Sequence, residues 1–270
     1  VGRLLGSILG EIFFRLVRVR REVTLAQLKS SFPEMSPGER TKVGLSCYRN
    51  FVFNAVDLLH LHGRGIAEIA RYFSVSGLHL LDKALAGGRG LVIVSFHFGN
   101  WELAGSYISG LGYPLNVVVQ RIHNPFIDKM ATELRLGVGM KIIPRDRALR
   151  GSLNALQRNE IVILMADQDA RDSGVFVPFF GRYASTPRGP AVIALRRDVP
   201  AVMVFVVRRR DGTFEVTFEP IPHGRSGDLE RDIEEFTGAF TSRLEAYVRK
   251  YPDQWLWLHR RWKTVKPGAD

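Results

Sequence analysis

The stretch Leu91-Val-Ile-Val-Ser-Phe-His97-Phe-Gly-Asn-Trp-Glu102 decides the fold. Residues 91–96 form an apolar run without alternation, the pattern of a strand buried on both faces of a mainly parallel sheet. Gly99 and Asn100 then supply a turn and an N-cap for a helix over 101–108. Strand, turn and helix in this order put His97 at the carboxyl end of a buried strand, where open α/β sheets carry their chemistry. Glu102 falls in the first helical turn, where the helix dipole favours a carboxylate. In one continuous helix, residues five apart point roughly 140° away from each other. His97 and Glu102 therefore meet only if the histidine lies in the turn and folds back over the helix start. A histidine so oriented is a candidate general base. The competing reading is a capping glutamate beside a core histidine. His123 with Asp128 and His223 with Asp228 repeat the spacing, but only His97 follows directly from a clean strand.

Outward from this stretch the chain divides. Residues 1–27 read as one helix, with Leu5, Ile8, Leu9, Ile12, Phe13 and Leu16 at helical spacing, followed by Arg15, Arg18, Arg20 and Arg21. An apolar stripe beside arginines fits a helix lying on an anionic membrane surface, and equally a helix packed on the core. Ser36, Pro37 and Glu39 start a second helix over 37–60 with a capping-box pattern. Shorter helices follow over 65–72 and 77–86. From Gly87, strands (91–96, 115–120, 140–143, 161–166, 201–208, 213–220) alternate with helices (101–108, 125–136, 147–158, 189–196, 227–250). This order predicts an α/β fold: a mostly parallel central sheet flanked by helices, with an N-terminal helical layer. Residues 1–30 are expected to be an amphipathic, membrane-associated helix, and 31–270 one domain, with a helical layer over 31–86 and the core over 87–270. Asp211-Gly212 predicts a hairpin joining the last two strands.

Composition bounds the function. The 270 residues carry 46% hydrophobic side chains, ordinary for a globular chain, but a net charge of +11. Such a surface favours polyanions: nucleic acid, anionic lipid or an acidic protein. The single cysteine, Cys47, permits no intrachain disulfide and reads as a buried structural thiol. No uninterrupted apolar stretch is long enough to span a bilayer. GxSxG, Walker A, GxGxxG and HExxH motifs are absent, and no metal-ligand spacing is evident.

Further candidates lie at other strand ends. Residues 161–166 run into Asp167-Gln168-Asp169. If that strand neighbours 91–96, Asp167 and Gln168 face the His97 pocket. Arg121, after the strand 115–120, and Arg135 in the next helix suit an anionic substrate or an oxyanion. Val175-Phe-Val-Pro-Phe-Phe-Gly181 reads as an aromatic loop whose proline disfavours a central strand. Asp253-Gln-Trp-Leu-Trp-Leu-His-Arg-Arg-Trp-Lys263 interleaves tryptophan and basic residues, a pattern suited to a membrane interface or to base stacking. A basic nucleic-acid-binding domain is the alternative from another class, although no helix-turn-helix, RRM or zinc-finger pattern appears.

Five segments in order resemble the bacterial lipid A biosynthesis (late, Kdo-dependent) acyltransferases: His97-Phe-Gly-Asn-Trp-Glu102, Ile143-Pro-Arg-Asp-Arg147, Ala166-Asp-Gln-Asp169, Gly174 to Gly181 with Ser185-Thr186, and Gln254 to Lys263. The resemblance implies transfer of a fatty acyl chain from acyl carrier protein to a hydroxyl of an anionic lipid A precursor, at the cytoplasmic face of the inner membrane. It implies His97 as general base and Glu102 as its orienting acid in an HxxxxD/E motif. Asp167 falls at a second site position found in related glycolipid acyltransferases. Asn100, Arg121, Arg135 and Gln168 are expected substrate or geometry contacts, more loosely. No cofactor or metal is expected, and no nucleic-acid partner; acyl-CoA is the alternative donor, and another glycolipid the alternative acceptor.

Overall fold

The computed structural model describes residues 2–61 and 63–268. Helices α1 (Gly2–Ile12), α2 (Arg21–Ser31), α3 (Pro37–Leu61) and α4 (Ile66–Ala70) come first. There follow β1 (Phe73–Ser76), α5 (His79–Ala86), β2 (Leu91–Ser95), α6 (Trp101–Gly110), β3 (Leu115–Val119), α7 (Pro125–Gly137), β4 (Lys141–Pro144), α8 (Ala148–Gln157) and β5 (Ile161–Met165). The chain ends with β6 (Val175–Phe179), β7 (Arg182–Thr186), α9 (Gly189–Arg197), β8 (Ala201–Arg208), β9 (Phe214–Pro220) and α10 (Leu229–Lys250).

The main sheet has seven strands in the order β1-β9-β8-β2-β5-β3-β4. Its one antiparallel pairing is β8 with β9, the predicted hairpin; every other neighbour runs parallel. Strand β2 is buried along its whole length. Val92, Val94 and Phe96 pack on one face with residues of α8, α9 and α10, while Leu91 and Ile93 pack on the other with residues of α4, α5 and α6. The two-residue period of a strand thus feeds two cores at once, which is why the run is apolar without alternation. The expected α/β architecture with its helical N-terminal layer is what forms.

Three expectations change. The predicted helix over 1–27 breaks into α1, a π-helical turn over Phe13–Val17 and α2, because Arg18 and Arg20 take left-handed φ values of 56° and 52°; Val1 lies outside the described residues. The aromatic stretch 175–181 is not a loop. Val175–Phe179 pairs with Arg182–Thr186 as a separate two-stranded ribbon. Such a ribbon is all edge, so Pro178 removes no central ladder bond. Phe180 and Gly181, both at positive φ, make its tight turn. The short strand β1 was not anticipated between two helical segments.

The N-terminal helix packs unusually. Gly6 and Gly10 are buried against α3: a Cβ on Gly10 would lie 2.7 Å from the Arg49 Cα, and one on Gly6 would lie 2.6 Å from the Phe53 ring. Small residues four apart let two helix backbones approach closely. The glycine face therefore takes the contact, and Leu4, Leu5, Ile8, Leu9 and Phe13 are left exposed on the outside. No described helix is long and apolar enough to cross a membrane.

The end of the sheet opposite the site is tied by a buried acid. Glu160, one residue before β5, accepts from Asn116 of β3 at 2.9 Å, Lys141 of β4 at 2.6 Å and Arg158 at 3.0 and 3.1 Å. Burial alone would raise its pKa, but Arg158, Lys141 and Asn116 outweigh it and bring the carboxyl down to about 2. A depressed carboxyl contributes stability that is present above its unfolded value and lost as pH falls through its folded value. Glu160→Gln is therefore expected to unfold more easily than wild type at neutral pH, with the gap closing between about pH 4.5 and 2. Urea unfolding of both proteins across this range checks it; a gap unchanged by pH refutes the assignment.

Candidate functional site

The sheet register builds the site. Ser95 lies opposite Met165 in the parallel pair β2–β5, so His97 and Asp167, each two residues past its strand end, come out side by side. The neighbouring strands expected from the sequence are present. The Asp167 carboxylate is 2% exposed. Its Oδ1 lies 2.8 Å from the His97 ring Nδ1. Its Oδ2 accepts from the His97 backbone N–H and from the Trp255 indole N–H, both at 2.9 Å. Burial works to raise the Asp167 pKa, but His97 and these donors prevail and hold it below the ordinary carboxylate value. An ionised carboxylate at Nδ1 requires the proton on that nitrogen, which leaves Nε2 as the basic atom. The imidazole packs edge-on to Trp101, with ring centroids 4.9 Å apart.

Glu102 is placed differently from the expectation. Arg135 of α7 grips its carboxylate with Nε at 3.0 Å and with Nη2, and no hydrogen bond joins it to His97. Position 102 lies in the first turn of α6, while the imidazole turns toward β5, so the acid on the histidine comes from the neighbouring strand. The bidentate pair instead joins α6 to α7.

Asn100 is likewise spent on structure. It is 1% exposed; its Oδ1 caps α6 by accepting from the Leu103 N–H at 3.2 Å, and its Nδ2 donates to the Asn54 carbonyl. It is not available to a substrate. Arg121 is exposed and lines a cleft, and Gln168 lines the same cleft half-buried. That cleft, about 1750 Å³, reaches Gln168, the residue after Asp167; His97 and Asp167 themselves are not part of its wall. Gln168, Asp169 and His259 line it, and Arg20, Arg121, Arg145, Arg147, Arg171, Arg260 and Lys263 outweigh Asp128 and Asp146 to make it strongly basic. His259 accepts from the Asp169 N–H at 2.9 Å through Nε2, and burial lowers its pKa. It is therefore a second, neutral imidazole at the cleft wall.

The turn 97–100 is clamped by residues that the sequence did not reveal. The Gly99 N–H donates to the Gln254 carbonyl at 2.9 Å, and the Leu256 N–H to the His97 carbonyl at 3.1 Å. Asn54 of α3 donates to the Gly99 carbonyl at 2.6 Å, and Arg208 holds the Asn54 side chain at 2.8 Å while pairing with Asp57. The tryptophan-rich segment, expected at a membrane or nucleic-acid surface, is core: Trp255, Trp257 and Arg261 are each at most 1% exposed. Cys47 is buried as expected, and burial pushes its thiol up to about 12. Among the described residues, no cluster suits a metal ion.

The chain matches the family described as bacterial lipid A biosynthesis acyltransferase over residues 1–264. The lipid A biosynthesis lauroyltransferase of Escherichia coli (strain K12) is 32% identical, with 98% of this chain and 86% of the relative covered. The lipid A biosynthesis palmitoleoyltransferase of the same strain is 27% identical over 98% of this chain and 85% of its own length. A phosphatidylinositol mannoside acyltransferase of Mycolicibacterium smegmatis is 28% identical over 88% of this chain and 77% of its own length.

Gly99 is where the turn is least forgiving. Its φ is +60°, and a Cβ there would lie 1.7 Å from the Val206 carbonyl oxygen. Gly99→Ala is expected to lose more stability than the roughly 1–2 kcal/mol that a left-handed non-glycine residue costs. Thermal or urea unfolding reads this, and a variant as stable as wild type would contradict the close approach of β8 to the turn.

Proposed function

The chain belongs to the bacterial lipid A biosynthesis acyltransferase family, and we propose that it moves a fatty acyl chain from acyl carrier protein to a hydroxyl of a lipid A precursor, with His97 as general base and Asp167 as its orienting acid. That it is an acyltransferase follows from the family. The observation that carries the residue roles is the buried Asp167 carboxylate 2.8 Å from His97 Nδ1, which leaves Nε2 to accept a proton.

The chemistry follows from these groups. A sugar or acyl-chain hydroxyl is a poor nucleophile at neutral pH. Nε2 takes its proton as the oxygen attacks the thioester carbonyl, a contribution of about 10² to 10⁴ in rate. Asp167 fixes the tautomer and stabilises the imidazolium. When the carbon–sulfur bond breaks, the imidazolium returns the proton to the leaving thiolate. The nucleophile is the acceptor's own hydroxyl, so no protein serine or cysteine takes part. Donors for the oxyanion are the Trp101 and Glu102 N–H groups at the start of α6, since Asn100 takes those of Leu103 and Ala104. Glu102 and Arg135, as a bidentate pair, brace α6 against α7.

The surroundings support the substrates proposed. A cleft with seven arginine or lysine side chains at its wall suits a phosphorylated glycolipid headgroup. The outward apolar face of α1, with Phe126, Ile127 and Met130 exposed on α7, supports contact with a membrane surface, which we propose to be the cytoplasmic face of the inner membrane. A mannosylated phosphoinositide acceptor is the second reading, favoured by the Mycolicibacterium relative.

An assay of purified protein with carrier-bound acyl donors and a phosphorylated lipid A precursor tests the proposal, the product being read by mass spectrometry. His97→Ala is expected to abolish transfer, and Asp167→Asn to lower it by about 10³ to 10⁴. The ¹⁵N shifts of the His97 ring are expected to report an Nδ1 proton in wild type and in Glu102→Gln, and a mixed tautomer in Asp167→Asn. Transfer retained in Asp167→Asn would remove Asp167 from the mechanism.

A further inference from the structure

A second groove, of about 680 Å³, runs along the outer side of α8 to the end of α9. Arg147, Leu149, Arg150, Leu153, Arg196 and Arg197 line it. None of these four arginines has a salt bridge or a hydrogen bond among the described residues, and Asp146 is the only acid in the lining. The basic surface elsewhere is often neutralised: Arg15, Arg158, Arg188, Arg231, Arg243 and Arg249 each pair with a glutamate. Here the positive charge is left uncompensated.

The apolar groups fit between the charges. Ser152, Ala155 and Leu156 turn inward from α8, while Leu149 stays 41% exposed and Leu153 half-buried. Leu149 and Leu153 are one helical turn apart, with Arg150 beside them. Leucines four apart between arginines complement an amphipathic helix with acidic flanks. The ten residues of α8 give the groove a length of roughly 15 Å, about three turns of such a helix.

The groove is also continuous with the basic cleft beside the dyad. Asp146 and Arg147 line both, because α8 starts just after the carboxyl end of β4, on the same side of the sheet as His97. A ligand seated along α8 thus has its cleft-side end at the rim of the basic cleft.

We infer that the α8–α9 groove docks an acidic helix of the carrier protein that delivers the acyl thioester. The inference rests on the carrier-bound donor proposed above. A thioester on a flexible arm reaches the dyad only if its carrier is held near the cleft mouth, and the shared rim provides that position. An anionic membrane would meet the same charges, but the large exposed apolar face that would enter it lies on α1, not on α8.

The test uses the full chain with Arg150→Glu/Arg196→Glu, both at exposed positions away from the dyad, and Arg150→Ala/Arg196→Ala as a milder companion. The melting temperature of each is compared with wild type. Donors are an acyl carrier protein thioester and the small thioester acyl-pantetheine. The charge reversal is expected to raise KM for the carrier-bound donor at least tenfold, with kcat and the KM for acyl-pantetheine unchanged, and the alanine pair to move the same way by less. Calorimetric binding of the unacylated carrier is expected to weaken in parallel and to weaken in wild type as salt rises. An unchanged KM for the carrier-bound donor overturns the inference. So does a variant that loses binding to anionic vesicles instead, which would assign the groove to the membrane. Wild-type transfer from acyl-CoA with no carrier binding overturns the docking while leaving the acyltransferase reading intact. No transfer from any thioester, with carrier binding still sensitive to the reversal, removes that reading and keeps the docking.

Discussion

A single buried carboxylate governs this architecture. Taking an ion the size of Asp167 out of water costs several kcal/mol even after the protein relaxes. The cost is offset only if every lone pair finds a donor. Three donors come from two distant parts of the chain: the backbone and ring of His97 at the end of β2, and the indole of Trp255 far along the sequence. Strand order, strand register and the path of the C-terminal segment must all be right for one acid to be satisfied. The same three bonds that make Asp167 tolerable also fix the imidazole, so folding and site geometry share one constraint.

The C-terminal segment is the instrument of that constraint. After α10 it crosses the carboxyl ends of the strands, and a bridge between Phe98 and Trp255 joins it to the turn 97–100. Gln254 hydrogen-bonds both ways with the Arg208 backbone at 2.8 and 2.9 Å, securing the segment to β8. Arg261 is buried among the aromatics of the ribbon, donating to Ser185 and Thr186. Desolvation lowers its guanidinium to about 10, so it stays charged at neutral pH. Tryptophan and arginine here are internal struts.

What the sequence made legible was what is local. The apolar run 91–95, the Asn100 cap and the Asp211-Gly212 turn depend on neighbours within a few residues, and each formed as expected. The site was half legible. His97 was visible because a strand leads straight into it. Its partner was legible only on a condition: Asp167 faces the His97 pocket if the strand 161–166 lies next to 91–96, and strand order and register are not written locally. Glu102 was the near candidate by spacing, but Arg135, 33 positions away, takes it. Asn54 and Gln254 carry no signal of their own, since their importance lies in the backbone groups they meet. The tryptophan-rich segment misled for a related reason: tryptophan beside arginine is equally compatible with a wet surface and with a core where cations stack on rings, as Arg182 does on Trp262 at 3.9 Å.

The N-terminal helix shows how small residues redirect an apolar stripe. An amphipathic helix ordinarily packs its large apolar side chains on the core. In α1 the glycines at positions 6 and 10 claim the contact with α3, and they approach its backbone so closely that no larger side chain fits. The leucines and isoleucine, at 43 to 67% exposure, must then face outward. That exposure follows from packing geometry, not from a weak core, and it leaves an apolar face open to a partner or to a lipid surface. A lipid surface meets it without another protein chain. With Arg18 and Arg20 at the turn below, and Arg20 also on the wall of the basic cleft, the helix joins its exposed apolar face to that cleft. A glycolipid acceptor has this same division, with acyl chains to one side and charged sugar to the other.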